Sequence, residues 1–187
     1  RALEVETLAG IIRPKIVGDL VEVDMGEPIL EGRKIPVDAD GEIKNRPLTV
    51  QGKTYEITCV SMGNPHCVIP LPEISEELAR TYGPHLERHG NFPNRTNVQF
   101  LKVRDRRNPQ IEIWERGAGE TQASGSSSCA AASAAVRLGL VKSPVTVKMP
   151  GGTLNIDVAQ DFSLTMKGPV AEVARGTLSP SFLRTLK

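Results

Sequence analysis

The sequence predicts an α+β fold, a largely antiparallel sheet with two packed helices. Three observations predict it. Short runs of alternating apolar and polar residues follow one another closely, as half-buried strands do. Only two segments carry a helix start and helical spacing. Glycine, proline, asparagine and aspartate punctuate the rest at short intervals.

The elements follow in order. Residues 3–24 read as strands, with alternation at Leu3 and Val5 and again through Leu20-Val21-Glu22-Val23-Asp24; Ala9-Gly10 and Gly18-Asp19 mark turns. Residues 26–48 are polar and carry Pro28, Pro36 and Pro47, which predicts a crossover between domains. Residues 49–60 form a hairpin about Gln51-Gly52-Lys53, and "SMGNPHC" follows as a loop. Ser75-Glu76-Glu77-Leu78 starts a helix, because acids suit its positive end; it runs to about Glu87 or His89, interrupted at Gly83-Pro84. "TNVQFLKV" and "QIEIWERG" are alternating strands joined by a basic turn. A second helix starts near Gly125 or Ser126 and ends near Gly139. Short strands at 145–149, 152–158 and 162–167 complete the chain, with turns at Pro150-Gly151-Gly152 and Gln160-Asp161.

Bulk properties exclude several functions. The 187 residues can build one good core or two small ones. A net charge of +1 provides no field for nucleic acid or an anionic membrane, and the basic cluster from Lys102 to Arg107 reads as a solvated turn. Aromatic residues make up 4%, too few for a single-strand stacking platform. Cys59, Cys67 and Cys129 form no Cys-x-x-Cys, which favours free thiols in a reducing, cytoplasmic compartment and argues against a zinc site or a disulfide scaffold. No apolar run approaches the ~18 residues of a membrane span. The chain opens on Arg1 and runs almost at once into a strand pattern, which predicts that an N-terminal part precedes it.

The stretch "WERGAGETQASGSSSC" joins a strand end to a helix start. Small residues let backbone approach a ligand closely. The first helical turn has free N–H groups and a partial positive charge, which together suit a carboxylate or phosphate. Hydroxyls of Ser126 and Ser127 can cap the helix or add donors. A plain serine-capped helix explains the same residues, and the residues alone leave both readings open. A P-loop would need lysine after its second glycine, a dinucleotide fingerprint glycine where Gln122 stands, and a nucleophile elbow glycine at Ser127 or Cys129. Ala130, Ala131, Ala134, Ala135 and Leu138 give the helix a slim apolar face, suited to a central buried helix.

Three further residues or pairs stand out. Asn64 offers both a donor and an acceptor, as an amino-acid ligand needs. His66 reads as a base, a pKa modulator or a satisfied hydrogen-bonded side chain. Cys67, followed by Val68 and Ile69, reads as a buried thiol. Glu115 and Arg116 end a strand and together match a zwitterion, carboxylate for ammonium and guanidinium for carboxylate; alone they would be an ordinary salt-bridge pair.

Taken together, "ETLAGIIRPKI", "VDMGEPIL", "VSMGNPHCV", "NFPNRTNVQF", "WERGAGETQASGSSSCAAA" and "MPGGTLNI" resemble the diaminopimelate epimerase family, in the family's order and over nearly the whole chain. The resemblance implies two pseudo-symmetric domains, each a curled sheet around a central helix. It implies interconversion of LL- and meso-diaminopimelate in lysine biosynthesis by two-base proton transfer, without pyridoxal phosphate or any other cofactor. Asn64, Asn97, Glu115 and Arg116 match positions that hold the distal part of the substrate. Gly125 and Ser126 match the groups that hold the carboxylate at the reacting carbon. His66 and Glu115 match residues that tune the catalytic thiols, and Ser124 matches one of two catalytic cysteines.

Two departures qualify the resemblance. Serine stands at 124, and the family's other cysteine motif, of the "CGNGxRC" kind, is absent from this sequence. A thiol ionises near pKa ~8.5 and a helix N-terminus lowers that, whereas a hydroxyl is far too weak an acid to act alike. Cys129 lies five residues on, which at about 100° and 1.5 Å per residue turns it roughly 140° away and about 7 Å along the helix. It reads as structural. The expectation is therefore an epimerase chain impaired by Ser124 and by a missing N-terminal half. Residues 1–24 complete the other domain, 25–175 form the resident domain and 176–187 return to the first. The N-terminal half and a second copy are the expected protein partners. A racemase for another amino acid and a non-catalytic binding module are the alternatives.

Overall fold

A computed structural model describes residues 2–7 and 10–186. Ala9 of the expected Ala9-Gly10 turn lies outside that range. The strands are β1 (Val5–Thr7), β2 (Gly10–Ile12), β3 (Lys15–Val17), β4 (Leu20–Gly26), β5 (Arg46–Val50), β6 (Lys53–Ser61), β7 (Pro65–Pro70), β8 (Asn97–Val103), β9 (Pro109–Glu115), β10 (Gly119–Glu120), β11 (Val145–Met149), β12 (Gly152–Val158) and β13 (Leu164–Pro169). The helices are α1 (Glu76–Glu87), α2 (Gly125–Arg137) and the short α3 (Pro180–Leu183), which the sequence reading did not include.

One 11-stranded sheet runs β3-β4-β13-β12-β11-β9-β8-β7-β6-β5, with β10 added beside β9; β1 and β2 pair separately. Its pairs are antiparallel except β7 with β8 and β9 with β11, which are parallel. The expected domain boundary at 24/25 falls inside β4, which is hydrogen-bonded along its length to β13.

The sheet has two cores because its middle strands are buried on both faces. Val60, Val68, Leu101, Ile111 and Ile113 pack with α2 in one. Cys59, Cys67, Ile69, Val98 and Phe100 pack in the other, with Ala79 and Leu86 of α1. Alternation of side chains produces this division, and burial on both faces turns these strands into near-continuous apolar runs. The segment 27–45 belongs to the second core. Ile35, Val37 and Ile43 are buried there, so the predicted crossover between domains is instead an irregular wall of this unit. Its prolines prevent regular structure without preventing burial.

Local chemistry explains the turns and caps. Gln51 (φ 49°) and Gly52 (φ 72°) are both left-handed, as a two-residue hairpin turn requires. The Ser75 hydroxyl caps α1 by accepting from Leu78 N at 3.1 Å. Gly83 and Pro84 do not interrupt α1. Pro84 removes one ladder bond, yet burial of Ala79, Gly83, Leu86 and Glu87 keeps the helix intact. The "SMGNPHC" loop is also shorter than predicted: β7 begins at Pro65, so His66 and Cys67 are strand residues, held by pairing with Val60 and Cys59.

Helix α2 is buried almost all round, from Ser127 through Ala135. Its side chains are alanine, serine and cysteine, so the sheet closes around it at short range. Helix α1 covers the opposite face and approaches β9 equally closely. A Cβ built on Gly83 would lie 2.5 Å from Trp114 Cγ. Substituting Gly83→Ala should therefore lower stability by about 1–3 kcal/mol despite alanine's better helix propensity. The check is a urea unfolding midpoint that falls with an unchanged slope; an equal or higher midpoint contradicts the close approach.

Candidate active site

The first turn of α2 is the centre of the candidate site. Its N-cap is Ser124, in extended conformation (φ −153°, ψ 125°). The Ser124 hydroxyl accepts from Ser127 N at 3.4 Å, and the Ser124 carbonyl accepts from Ser128 N at 3.1 Å and Ser128 Oγ at 2.9 Å. Capping thus falls to Ser124 and not to Ser126 or Ser127, because an extended residue must precede the first helical one. The amides of Gly125 and Ser126 have no carbonyl partner within the helix. A Cβ on Gly125 would lie 3.0 Å from Met166 Sδ, so a larger residue would crowd the helix start.

A cleft of about 280 Å³ opens beside Ser124 and Gly125, walled by Met149, Gly151, Leu154 and Pro169. Gly151 N donates to Gln122 O at 2.7 Å and so ties the β11–β12 turn to the loop before α2. The volume is of the order that small-molecule sites occupy.

The strand ends bring the remaining predicted residues to the same end of α2. His66 is fully buried on the α2 face of β7, and its Nε2 lies 2.9 Å from Asn64 Oδ1. Asn97, opposite His66 in the parallel β7–β8 register, is also buried. Its Nδ2 donates to Pro65 O at 2.8 Å and its Oδ1 accepts from Arg116 N at 2.9 Å. Asn97 therefore fixes the backbone of Arg116 relative to β7. Arg116 lies just past the end of β9; its Nη1 donates to Asn94 O at 3.1 Å, and the side chain is largely exposed. Glu115 is half-buried and, by alternation, shares the α2 face with Ile113.

Two residues that sequence reading passed over organise this arrangement. Gln99 is fully buried, with Nε2 3.1 Å from Ser127 Oγ, and so links β8 to the first turn of α2. A polar residue between Val98 and Phe100, at a position that alternation turns toward a helix, was its signal in the sequence. Glu87 is buried under the turn that carries Arg116. Its carboxylate accepts from Trp114 Nε1 at 2.8 Å and Gly117 N at 3.1 Å, and Arg95 lies 3.6 Å away. As the last residue of a helix pattern it carried no signal in the sequence. The loop is further held to α1 by the ion pair of Glu120 with Arg80.

Electrostatics favour neutral groups beneath the helix start. Burial lowers the His66 pKa from 6.5 to about 4; the Gln99 amide acts in the opposite direction, and the positive charge of Arg116 adds to the depression. Burial also raises Cys129, to about 12. Cys67 is raised by its cross-strand neighbour Cys59 and by burial. Both thiols are fully buried and disfavoured from ionising. Among the described residues, no group of three His, Cys, Asp or Glu side chains is placed to hold a metal ion. No helix among them is long and apolar enough to cross a membrane.

The family model described as diaminopimelate epimerase matches residues 58–173, which include both the strand ends and the helix start. The chain belongs to the diaminopimelate epimerase family. "Diaminopimelate epimerase 2" of Nostoc sp. is 46% identical over 182 residues, covering 96% of this chain and 64% of that protein. A diaminopimelate epimerase of Magnetococcus marinus is 46% identical over 179 residues, covering 95% and 64%. The chain thus spans 64% of the length of these curated relatives. Among solved structures, a hydroxyproline epimerase from Agrobacterium vitis superposes with a TM-score of 0.62 at 14% identity, over 90% of this chain and 56% of that one. A predicted epimerase from Pseudomonas aeruginosa gives 0.57 at 18% identity, over 95% and 66%. These two likenesses show the fold alone.

The buried neutral imidazole makes a pH prediction. The unfolded chain takes up a proton on His66 near pH 6.5, and the folded chain only near 4. The unfolded state therefore binds more protons in that window, and stability falls as pH falls through it. By about pH 4 the loss should reach about 3 kcal/mol. Urea unfolding from about pH 7 to about pH 4 should show this acid-side loss, and His66→Gln should flatten it by that amount. Parallel curves for the two proteins would contradict a neutral buried His66.

Proposed function

We propose that this chain is the larger part of a diaminopimelate epimerase, and that it binds diaminopimelate at the first turn of α2. The observation that carries the reading is the N-cap position of Ser124, at the head of a helix buried along its length and beside an open cleft. In this reading Gly125 and Ser126 direct their amides at the carboxylate on the reacting carbon. Asn64, Asn97, Glu115 and Arg116 hold the distal end. His66 stays uncharged, so it adds no competing cation to the site.

An atom at the Ser124 Oγ position accepts from Ser127 N and sits at the positive end of the dipole. A thiolate there would be stabilised on both counts and could remove the α-proton. A serine hydroxyl receives the same bond as an ordinary cap and keeps its proton. Two-base transfer also needs a second acid on the opposite face of the carbon, which the reading assigns to the N-terminal half of the fold. Support for such a partner comes from apolar exposure at the ends of the chain. Val5, Ile11, Ile16 and Val17 near the start, and Val173 and Phe182 near the end, are all at least 43% exposed. In this reading residues 1–24 and 176–187 pack against that half, 25–175 form the resident domain, and a second copy is the further expected partner.

Two measurements test the reading. Calorimetry with LL-diaminopimelate should show binding to this chain, while deuterium uptake at the α-carbon in heavy water should be absent. Ser124→Cys in a chain carrying the N-terminal half should restore uptake and epimerisation. No turnover in that completed protein would defeat the account of Ser124. Uptake with another amino acid, such as hydroxyproline, and none with diaminopimelate would defeat the substrate assignment.

A further inference from the structure

Arg116 is exposed just past the end of β9, yet its backbone is held on both sides. Its own amide donates to Asn97 Oδ1 at 2.9 Å, and the next amide, Gly117 N, donates to Glu87 Oε1 at 3.1 Å. A peptide group is planar, so two anchored amides fix the planes before and after the Arg116 Cα. The direction in which the side chain leaves the backbone is thereby set. Its far end is held too, because Nη1 donates to Asn94 O at 3.1 Å.

Glu87 reaches both ends of that side chain. Its Oε1 takes the Gly117 amide, in a turn where Gly117 is left-handed (φ 78°). On the Asn94 side, Arg95 Nη1 lies 3.6 Å from the same Oε1, and Thr96 N donates to the Glu87 main-chain carbonyl at 3.2 Å. The segment that carries the Asn94 carbonyl is thus fastened to Glu87 at the next two residues. The other carboxylate oxygen, Oε2, accepts from Trp114 Nε1 at 2.8 Å. Glu87 is the last residue of α1 and only 3% exposed. A carboxylate there opposes the helix dipole and loses its hydration. Donors on both oxygens offset this. A glutamine could serve only one of the two sides, since its nitrogen cannot accept.

We propose that Glu87 is a positioning residue, whose buried carboxylate holds the Gly117 amide and the Asn94–Thr96 segment and so presents the Arg116 guanidinium in one orientation. An arginine ordered in advance need not be immobilised when an anion arrives, a difference of about two- to tenfold in affinity. That bearing on ligand rests on the epimerase reading, in which Arg116 meets the distal end of diaminopimelate; the ordering of Arg116 does not.

The test reads Arg116 directly, through nitrogen-15 relaxation of its Nε–H in this chain. In unmodified protein that group should be as ordered as the backbone around it, and the Gly117 amide should exchange slowly in heavy water. Glu87→Gln keeps the shape of the side chain and should leave Arg116 Nε–H mobile and Gly117 exchanging fast. Trp114→Phe removes the donor on the other oxygen; it should lower stability and leave both signals as they were. A thermal melt confirms that each variant is folded. A mobile Arg116 or a fast Gly117 in unmodified protein overturns the proposal even if neither variant folds, and so does an Arg116 that stays ordered in folded Glu87→Gln. Calorimetry with LL-diaminopimelate should show affinity about two- to tenfold lower in Glu87→Gln and unchanged in Trp114→Phe. Equal losses in the two variants, or none, would mean that Glu87 only braces the fold. Absence of binding to unmodified protein would instead defeat the epimerase reading, and the Arg116 spectra would still decide the role of Glu87.

Discussion

Burial of α2 on every side constrains the rest of the molecule. A helix made of alanine, serine and cysteine has little reach, so the sheet must curl tightly to touch it. Of the strands that do so, β6 to β9 also have a second apolar face, which α1 and the segment 27–45 cover. The two cores follow from one narrow helix. The same burial leaves the helix start as the place where unpaired backbone amides meet an open cleft. Charge interactions are stronger there than they would be in water.

Around that start the polar groups are tied down by one another. Asn97 bonds both Pro65 and Arg116, Glu87 bonds both Trp114 and Gly117, and Gln99 reaches Ser127. Each joins segments far apart in the chain, so their positions are set by several strands at once. In the proposed site such donors are preorganised and need no reorientation to meet a ligand. The cost is a set of buried polar atoms that must all be satisfied, and the neutral state of His66 is part of meeting that demand.

Membership of the diaminopimelate epimerase family gives Ser124 its interest. The cap geometry it adopts is ordinary for serine and, in the proposed mechanism, would favour a thiolate. Proton abstraction distinguishes them, because the hydroxyl is a far weaker acid. Binding and turnover are therefore separable at this one position in the proposed mechanism.

Much of this was legible in the residues themselves. The strands, the hairpin at Gln51-Gly52, the two long helices and the motifs of the family rest on local spacing and turn chemistry, which act over a few residues. Pro84 misled because one lost backbone bond is outweighed by a buried helix face, and that burial is not a local property. His66 looked like a loop residue because asparagine, glycine and proline precede it, yet pairing with β6 and β8 makes it part of a strand. The sequence by itself determined the elements and the family. Only tertiary structure decided that Ser124 caps the helix, that His66 is neutral, and that Glu87 and Gln99 brace the site, because each depends on contacts between segments whose meeting no local pattern records.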